Sequence, residues 1–223
     1  MTTLMLLLAV ASTPAQKDCK AQFAPLATGS HSGDSRVPFW RRSEAGEWGG
    51  PGWLGWTSEG DRLAAVQMTV RDRPKDSAAD DDVTVISAPT VRYAVRCIPR
   101  LSAGPIRSLN LAKRDLDHEG PLSLSVGSRR YDLRLQSTRD DRADAQVVLT
   151  DGRTTQVLYS ADGFTDEPHY FIEWAGDLDR DGRLDLVVNL SRKYSWHPYR
   201  LLLSSAAAPG QLVADVALFE TGD

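Results

Sequence analysis

The stretch from Gly176 to Val188, read Gly-Asp-Leu-Asp-Arg-Asp-Gly-Arg-Leu-Asp-Leu-Val-Val, constrains the fold of this chain more than any other. It sets carboxylates at Asp177, Asp179, Asp181 and Asp185 around Gly182, then runs directly into an apolar segment. In that segment Leu184, Leu186, Val188 and Leu190 alternate with Asp185, Val187 and Asn189. A period of two is the signature of a strand, with Asp185 on the face opposite the leucines. The local structure is therefore a sharp acidic turn that feeds a β-strand. Carboxylates crowded in this way repel one another unless a cation joins them.

Ca²⁺ is a hard ion that takes six to eight oxygen ligands at about 2.3–2.6 Å. Asp177, Asp179 and Asp181 alternate along a curled backbone, so their short carboxylates can converge, and Gly182 permits the turn that follows. The Arg183 carbonyl then points inward and Asp185 supplies the last carboxylate. A helix–loop–helix calcium site also needs a carboxylate at loop position 12 and an exiting helix. Val188 holds that position and the exit is a strand, so the sequence excludes that class.

The pattern D-x-D-x-D-G-x-x-D followed by L-x-V-x-L resembles the calcium hairpin of FG-GAP or VCBS repeats, known from integrin-like propellers. The resemblance implies side-chain ligation by Asp177, Asp179, Asp181 and Asp185, a backbone carbonyl from Arg183, and Ca²⁺ as the cofactor. It covers about 15 residues and occurs once in full. The cluster Asp115-Leu-Asp117-His118-Glu119-Gly120 matches the first six positions, but Pro121 and Ser123 follow where a carbonyl donor and the fourth carboxylate belong. That cluster reads as a metal-free connecting loop, and one full copy does not make a propeller. More loosely, the line from Leu122 to Phe219 is similar to bacterial exported proteins of unknown function that carry one such loop. That resemblance supplies no activity.

Elsewhere β patterns dominate. Strands are predicted over 62–70, Val83–Ile86, Val91–Cys97, Leu122–Val126, Arg130–Gln136, Ala145–Thr150 and Thr154–Tyr159. Further strands are predicted over Tyr170–Trp174, Leu184–Leu190, Tyr199–Leu203 and Leu212–Phe219. Asp151-Gly152 between two alternating runs signals a two-residue hairpin. No segment sustains a 3.6-residue apolar period over three turns. The expected class is mainly β, an antiparallel meander forming sandwich or barrel-like sheets with little helix. Residues 17–60 are irregular in pattern, and the tryptophans of Trp48-Gly-Gly-Pro-Gly-Trp53-Leu-Gly-Trp56 are expected to close over a core. The acidic run Asp76–Asp82 lacks ligand spacing and reads as a solvated hairpin loop. The expected organisation is a leader over 1–16, a loop-rich β domain over 17–118, and a β domain carrying the calcium hairpin over 119–223. Two halves sharing one core are the alternative.

Compartment follows from the N-terminus and the cysteines. The apolar run Leu4–Ala11 is too short to span a bilayer and ends in small residues, with Thr13 and Ala15 placed for signal-peptidase cleavage. Lys17-Asp18 before Cys19 is no lipobox, so no membrane anchor beyond the leader is expected. The two cysteines, Cys19 and Cys97, are expected to form one disulfide in an oxidising periplasmic or extracellular setting. Net charge is −4 with acidic and basic stretches interleaved, which excludes a nucleic-acid stripe.

Enzyme signatures are fragmentary. Ser32-Gly33-Asp34-Ser35-Arg36 beside His31 lacks a nucleophile elbow, and His31, His118, His169 and His197 match no zinc motif. Asp166 and Glu167 near His169 and Glu173 are candidates for a glycosidase carboxylate pair. The binding reading points instead to Ser191–Tyr199, where Tyr194, Trp196 and Tyr199 stand among basic groups. The sequence thus supports an exported, calcium-binding β protein with structural calcium, acting as an interaction or envelope accessory factor toward an unidentified protein or envelope component. A secreted hydrolase is the alternative.

Overall fold

Alternating and β-branched runs pair into three antiparallel sheets, none closed into a barrel. The computed structural model describes residues 19–26, 40–41, 48–57, 60–72, 83–88, 91–111, 114–116 and 120–222. The leader, the Ser32–Arg36 motif, the Asp76–Asp82 run and the expected domain boundary at 118 lie outside the described residues.

The N-terminal sheet is built from β1 (Gln22–Pro25), β2 (Trp40–Arg41), β3 (Gly50–Trp56), β4 (Arg62–Asp72), β5 (Val83–Ser87), β6 (Tyr93–Arg96) and β7 (Gly104–Pro105). Its order is β1-β6-β3-β4-β5-β2, with β7 on β4. Two short strands follow, β8 (Arg107–Ser108) and β9 (Arg114–Asp115). Next comes a four-stranded meander in sequence order, β10 (Leu122–Val126), β11 (Arg129–Gln136), β12 (Gln146–Thr150) and β13 (Thr155–Ser160). The last sheet contains β14 (His169–Asp177), β15 (Asp185–Ser191), β16 (Trp196–Leu203) and β17 (Ala214–Gly222), in the order β17-β16-β15-β14 with β8 and β9 both on β14. Among the described residues the one helical turn is the 3₁₀ segment Ser204–Ala206. No helix there is long and apolar enough to cross a membrane.

The last sheet is the middle layer of three. One of its faces packs Trp174, Val187, Leu201 and Phe219 against Phe23, Trp53, Trp56 and Tyr93 of the N-terminal sheet. The other packs Tyr170, Ile172, Leu186 and Val188 against Leu124, Tyr131, Leu133 and Leu149 of the meander. Every residue of β15 is buried as a result. Each fully buried Leu or Val there contributes roughly 1.5–3 kcal/mol over an exposed one. The alternation predicted for 184–190 is present, but it sorts residues between two cores rather than between core and water.

Local differences from the sequence reading have physical causes. The Trp48–Trp56 run is not all turn, because β3 pairs with both β4 and β6. Its glycines allow this: the register shifts between Gly50 and Trp53, and Gly50 (φ 98°) and Gly52 (φ 90°) adopt backbone that other residues avoid. Trp53 and Trp56 are buried, as expected of them. Asp151-Gly152 does sit in a hairpin, but Thr150 pairs with Thr155, so the loop is longer than two residues. The Asp151 carboxylate widens it by accepting the amides of Arg153 (2.9 Å) and Thr154 (2.7 Å). The tight turn of the meander is at Gly127, between Val126 and its partner Arg129. Cys19 and Cys97 form the expected disulfide, with Cα atoms 5.8 Å apart.

Candidate metal centre

The acidic loop joins β14 to β15 at one end of the middle sheet, where Gly176 pairs with Asp185. Gly176 also pairs with Ser108 of β8, and this double approach leaves no room for a side chain. A Cβ at 176 would lie 2.1 Å from the Arg107 carbonyl oxygen and 2.6 Å from the Trp174 ring. Beyond it the chain curls tightly. Arg180 (φ 67°) and Gly182 (φ 77°) both take the left-handed conformation that lets the loop fold back on itself.

Hydrogen bonds within the loop orient the carboxylates. Asp177 accepts the amide of Asp181 at 3.1 Å and that of Gly182 at 3.0 Å, one on each oxygen. Asp185 is fully buried. One of its oxygens accepts the Leu178 amide at 2.7 Å, and the other accepts the Ser204 amide at 2.8 Å and the Ser204 hydroxyl at 3.1 Å. Asp179 differs from both. Its Oδ1 accepts the Asp181 amide at 3.2 Å, while its Oδ2 is buried with no hydrogen-bond partner.

One ligand oxygen each from Asp177, Asp179 and Asp185 lie within 4.8 Å of one another. Oxygens that share the shell of one metal ion lie within about 5 Å of one another, so these three carboxylates could hold such an ion. Asp181, the remaining predicted carboxylate, is turned to other partners. It pairs with the guanidinium of Arg183 at 2.7 Å and accepts the Ser204 hydroxyl at 3.0 Å. The Arg183 side chain thus neutralises Asp181 at the rim of the loop.

Electrostatics mark the site as short of positive charge. Burial, and after it the charge of Asp179, pushes the Asp185 carboxyl up to about 7, against the pull of the Ser204 and Leu178 amides. Asp177 is also raised, first by burial and then by the carboxylates of Asp181 and Asp179, with the Gly182 amide opposing. A buried acid in this condition holds a proton or requires a cation.

Two contributors had no signal in the sequence. Ser204, just after β16, joins Asp181 to Asp185. Arg180 reaches out of the loop to the Ser102 carbonyl at 3.1 Å, a contact across 78 residues. Nothing in a local pattern announces either.

The other candidates are dispersed. Asp166 and Glu167 are exposed, whereas Glu173 is 2% exposed and faces Arg92 at 3.8 Å. His31 and His118 lie outside the described residues. His169 and His197 do meet, ring centroids 4.8 Å apart, with Asn189 between them at 3.1 Å and 3.4 Å. In the Ser191–Tyr199 segment Tyr194 is exposed, Trp196 is half-buried and Tyr199 packs into the core. The Asp115 cluster begins on β9, where Asp115 pairs with Phe171, and its residues 117–119 lie outside the described set. Comparison with known proteins yields no match to a family model, to a curated protein or to a solved structure.

Proposed function

We propose that this chain is an exported β protein in which the Asp177–Asp185 loop holds one Ca²⁺ as a structural clamp, and that it acts by binding a partner. The buried, unpartnered Oδ2 of Asp179 carries the reading. A carboxylate oxygen withdrawn from water and left without a donor costs stability unless an ion completes it. Asp177, Asp179 and Asp185 would hold the ion, and Asp181 with the Arg183 carbonyl would close the loop around it. An all-oxygen donor set of this kind favours Ca²⁺ or Mg²⁺ over softer metals. Several carboxylates on a loop suit calcium better, because magnesium demands near-octahedral geometry and retains its waters.

The clamp reading follows from what the ion would join. Ser204 links the loop to the end of β16, and Arg180 links it to Ser102, so a charge at the centre draws three distant segments together. The disulfide supports an oxidising, non-cytoplasmic setting. The proposed partner face is the loop pair in which Phe164 (77% exposed) and Tyr194 (58% exposed) stand beside Arg192 and Lys193. These loops are tied by a bridge between Asp166 and Lys193, so they present a fixed surface to a protein or envelope component. The alternative is a secreted hydrolase; of the carboxylates considered for it, Asp166 and Glu167 are exposed while Glu173 is buried and faces Arg92.

The test is thermal melting of metal-stripped protein with added Ca²⁺, with added Mg²⁺ and with chelator. Calcium at a hundred times its dissociation constant is expected to add about 2.7 kcal/mol. Asp179→Asn is expected to abolish that gain and to raise the chelated melting point, since it removes an uncompensated buried charge beside Asp185. Coincident curves in calcium and in chelator would remove the proposal.

A further inference from the structure

One turn joins the acidic loop to the disulfide. After β6 the chain passes through Cys97–Ser102, which carries the Cys19–Cys97 bridge at its start and meets the acidic loop at its end. Within the turn the Leu101 amide donates to the Ile98 carbonyl at 3.4 Å. Cys97 (φ 60°) and Arg100 (φ 70°) are both non-glycine residues in the left-handed region. Such residues keep that conformation only while their surroundings hold it.

Two links from the acidic loop supply the hold. In the first, Arg180 (φ 67°) leaves the loop and donates from Nη2 to the Ser102 carbonyl at 3.1 Å and to the Ser102 hydroxyl. Its guanidinium lies against Gly104, where a Cβ would come 2.2 Å from Nη1, so the glycine makes room for it. The second runs through Ser204 and Ser205. Ser204 donates its amide to Asp185 at 2.8 Å and its hydroxyl to Asp181 at 3.0 Å. The carbonyl of Ser205, the next residue, accepts Nη1 of Arg100 at 3.1 Å.

Both links therefore depend on how the carboxylates are held. Oxygens of Asp177, Asp179 and Asp185 lie within 4.8 Å of one another, and without a cation their charges repel. Arg180 stands in sequence between Asp179 and Asp181, and Ser204 is tied to Asp181 and Asp185, so a loop that spreads carries both links with it. The turn then loses what fixes Arg100 and Ser102, and the backbone at Cys97 is free to relax. A segment with a held and a released state, biased from both ends, is what couples two distant sites.

We propose that the ion in the acidic loop and the Cys19–Cys97 disulfide are coupled through this turn, so that calcium protects the bridge from dithiol reductants and reduction weakens calcium binding. The coupling rests on the calcium reading above, since it needs the ion. In the reduction, a thiolate of the dithiol attacks one cysteine sulfur and the S–S bond breaks as a mixed disulfide forms. The second thiol of the reductant then closes on the first. Cys19 and Cys97 leave as two thiols, and the reductant leaves as a cyclic disulfide after giving up two electrons and two protons. Attack depends on access to a sulfur, and the released turn gives more of it than the held one.

The experiment measures reduction of the full chain by excess dithiothreitol at 25 °C, in saturating Ca²⁺ and in chelator, with free thiols alkylated and counted by mass over time. Melting curves are taken in the same two buffers without reductant. Calcium is expected to slow reduction at least about fivefold, the low end of a coupling between sites. At equilibrium against dithiothreitol redox buffers, fivefold appears as a midpoint lowered by about 20 mV for this two-electron couple. Replacing both exposed arginines, Arg100→Ala with Arg180→Ala, is expected to remove most of the slowing while the calcium-induced rise in melting temperature persists. Equal reduction rates in calcium and chelator, with the melting gain present, would overturn the coupling and leave the calcium reading standing. Full slowing in the folded double variant would also overturn it, since protection would then come from global stability alone. No melting gain in calcium would remove both.

Discussion

Metal-stripped protein is expected to lose stability as pH rises from about 5 to about 8, and calcium-loaded protein is not. The cause is Asp185, whose carboxyl stands at about 7 in the folded, ion-free loop against an ordinary 3.8. Between those values the folded state keeps a proton that the unfolded state has released. The unfolded state therefore binds fewer protons, and stability must fall with rising pH across this window. For one such acid the fall between about pH 5 and pH 8 integrates to about 2.5 kcal/mol. A chain of this length loses about 2–4 °C of melting temperature per kcal/mol, so the expected drop is about 5–10 °C. A bound cation removes the effect, because it keeps the carboxylate ionised in the folded state at both ends of the range. The decisive quantity is the gap between the two melting curves, which should widen with pH. Background titrations cancel in that gap, including those of Asp141 and Asp144, both held below the usual range by their own hydrogen bonds. Asp185→Asn should flatten the pH dependence. It should also lower both curves, since an amide cannot accept from both Leu178 and Ser204 through its two ends. A gap that is constant, or that narrows as pH rises, would refute the reasoning.

Three further outcomes test other parts of the structure. Replacing Cys19 and Cys97 together by alanine opens a bridge across 78 residues and should lower urea-derived stability by up to about 4 kcal/mol. An unchanged urea midpoint would mean that the bridge constrains nothing. Gly176→Ala forces a Cβ onto the Arg107 carbonyl and the Trp174 ring, and should cost about 3 kcal/mol or prevent accumulation of folded protein. A melting point within about 2 °C of wild type would contradict the packing described. Tyr194→Ala, at an exposed position, should shift stability by less than about 0.5 kcal/mol and reduce capture of a partner from the native envelope fraction. Undiminished capture would place the partner face elsewhere.

What could be read in advance follows from how local each signal is. Leu122, Leu124 and Val126 alternate cleanly because β10 has one wet face, and the sequence shows the strand directly. β15 showed its alternation as well, but Val187 and Asn189 are buried by a layer that no local pattern reveals. β3 was hidden because its glycines carry turn chemistry. Gly55 is there because Val66 and Val91 approach within 3.1 Å of where its Cβ would be, a fact of neighbours far along the chain. The acidic loop was legible for the opposite reason, since Asp177, Asp179 and Asp185 come from one contiguous turn. Ser204 and Ser102 reach it only through the assembled sheets. The meeting of His169 with His197 depends on β14, β15 and β16 lying side by side, so it too was invisible in one dimension.

The layered arrangement has a consequence for the order of events during synthesis. A chain made from its N-terminus completes β1 to β7 and can close its disulfide while the acidic loop is still unmade. At that moment Phe23, Trp53, Trp56 and Tyr93 form an aromatic face that lacks the sheet packed on it, because that sheet is the last to appear. The meander emerges next and is equally bare, since its apolar face awaits the same four strands. Both outer layers therefore lack their shared apolar partner until His169–Gly222 has been made. Exposed apolar surface of this kind invites aggregation, and long-range pairing slows its burial. The closing segment acts as a keystone: without it neither earlier part is a finished object, and a chain cut short before β14 is a candidate for a chaperone or a protease.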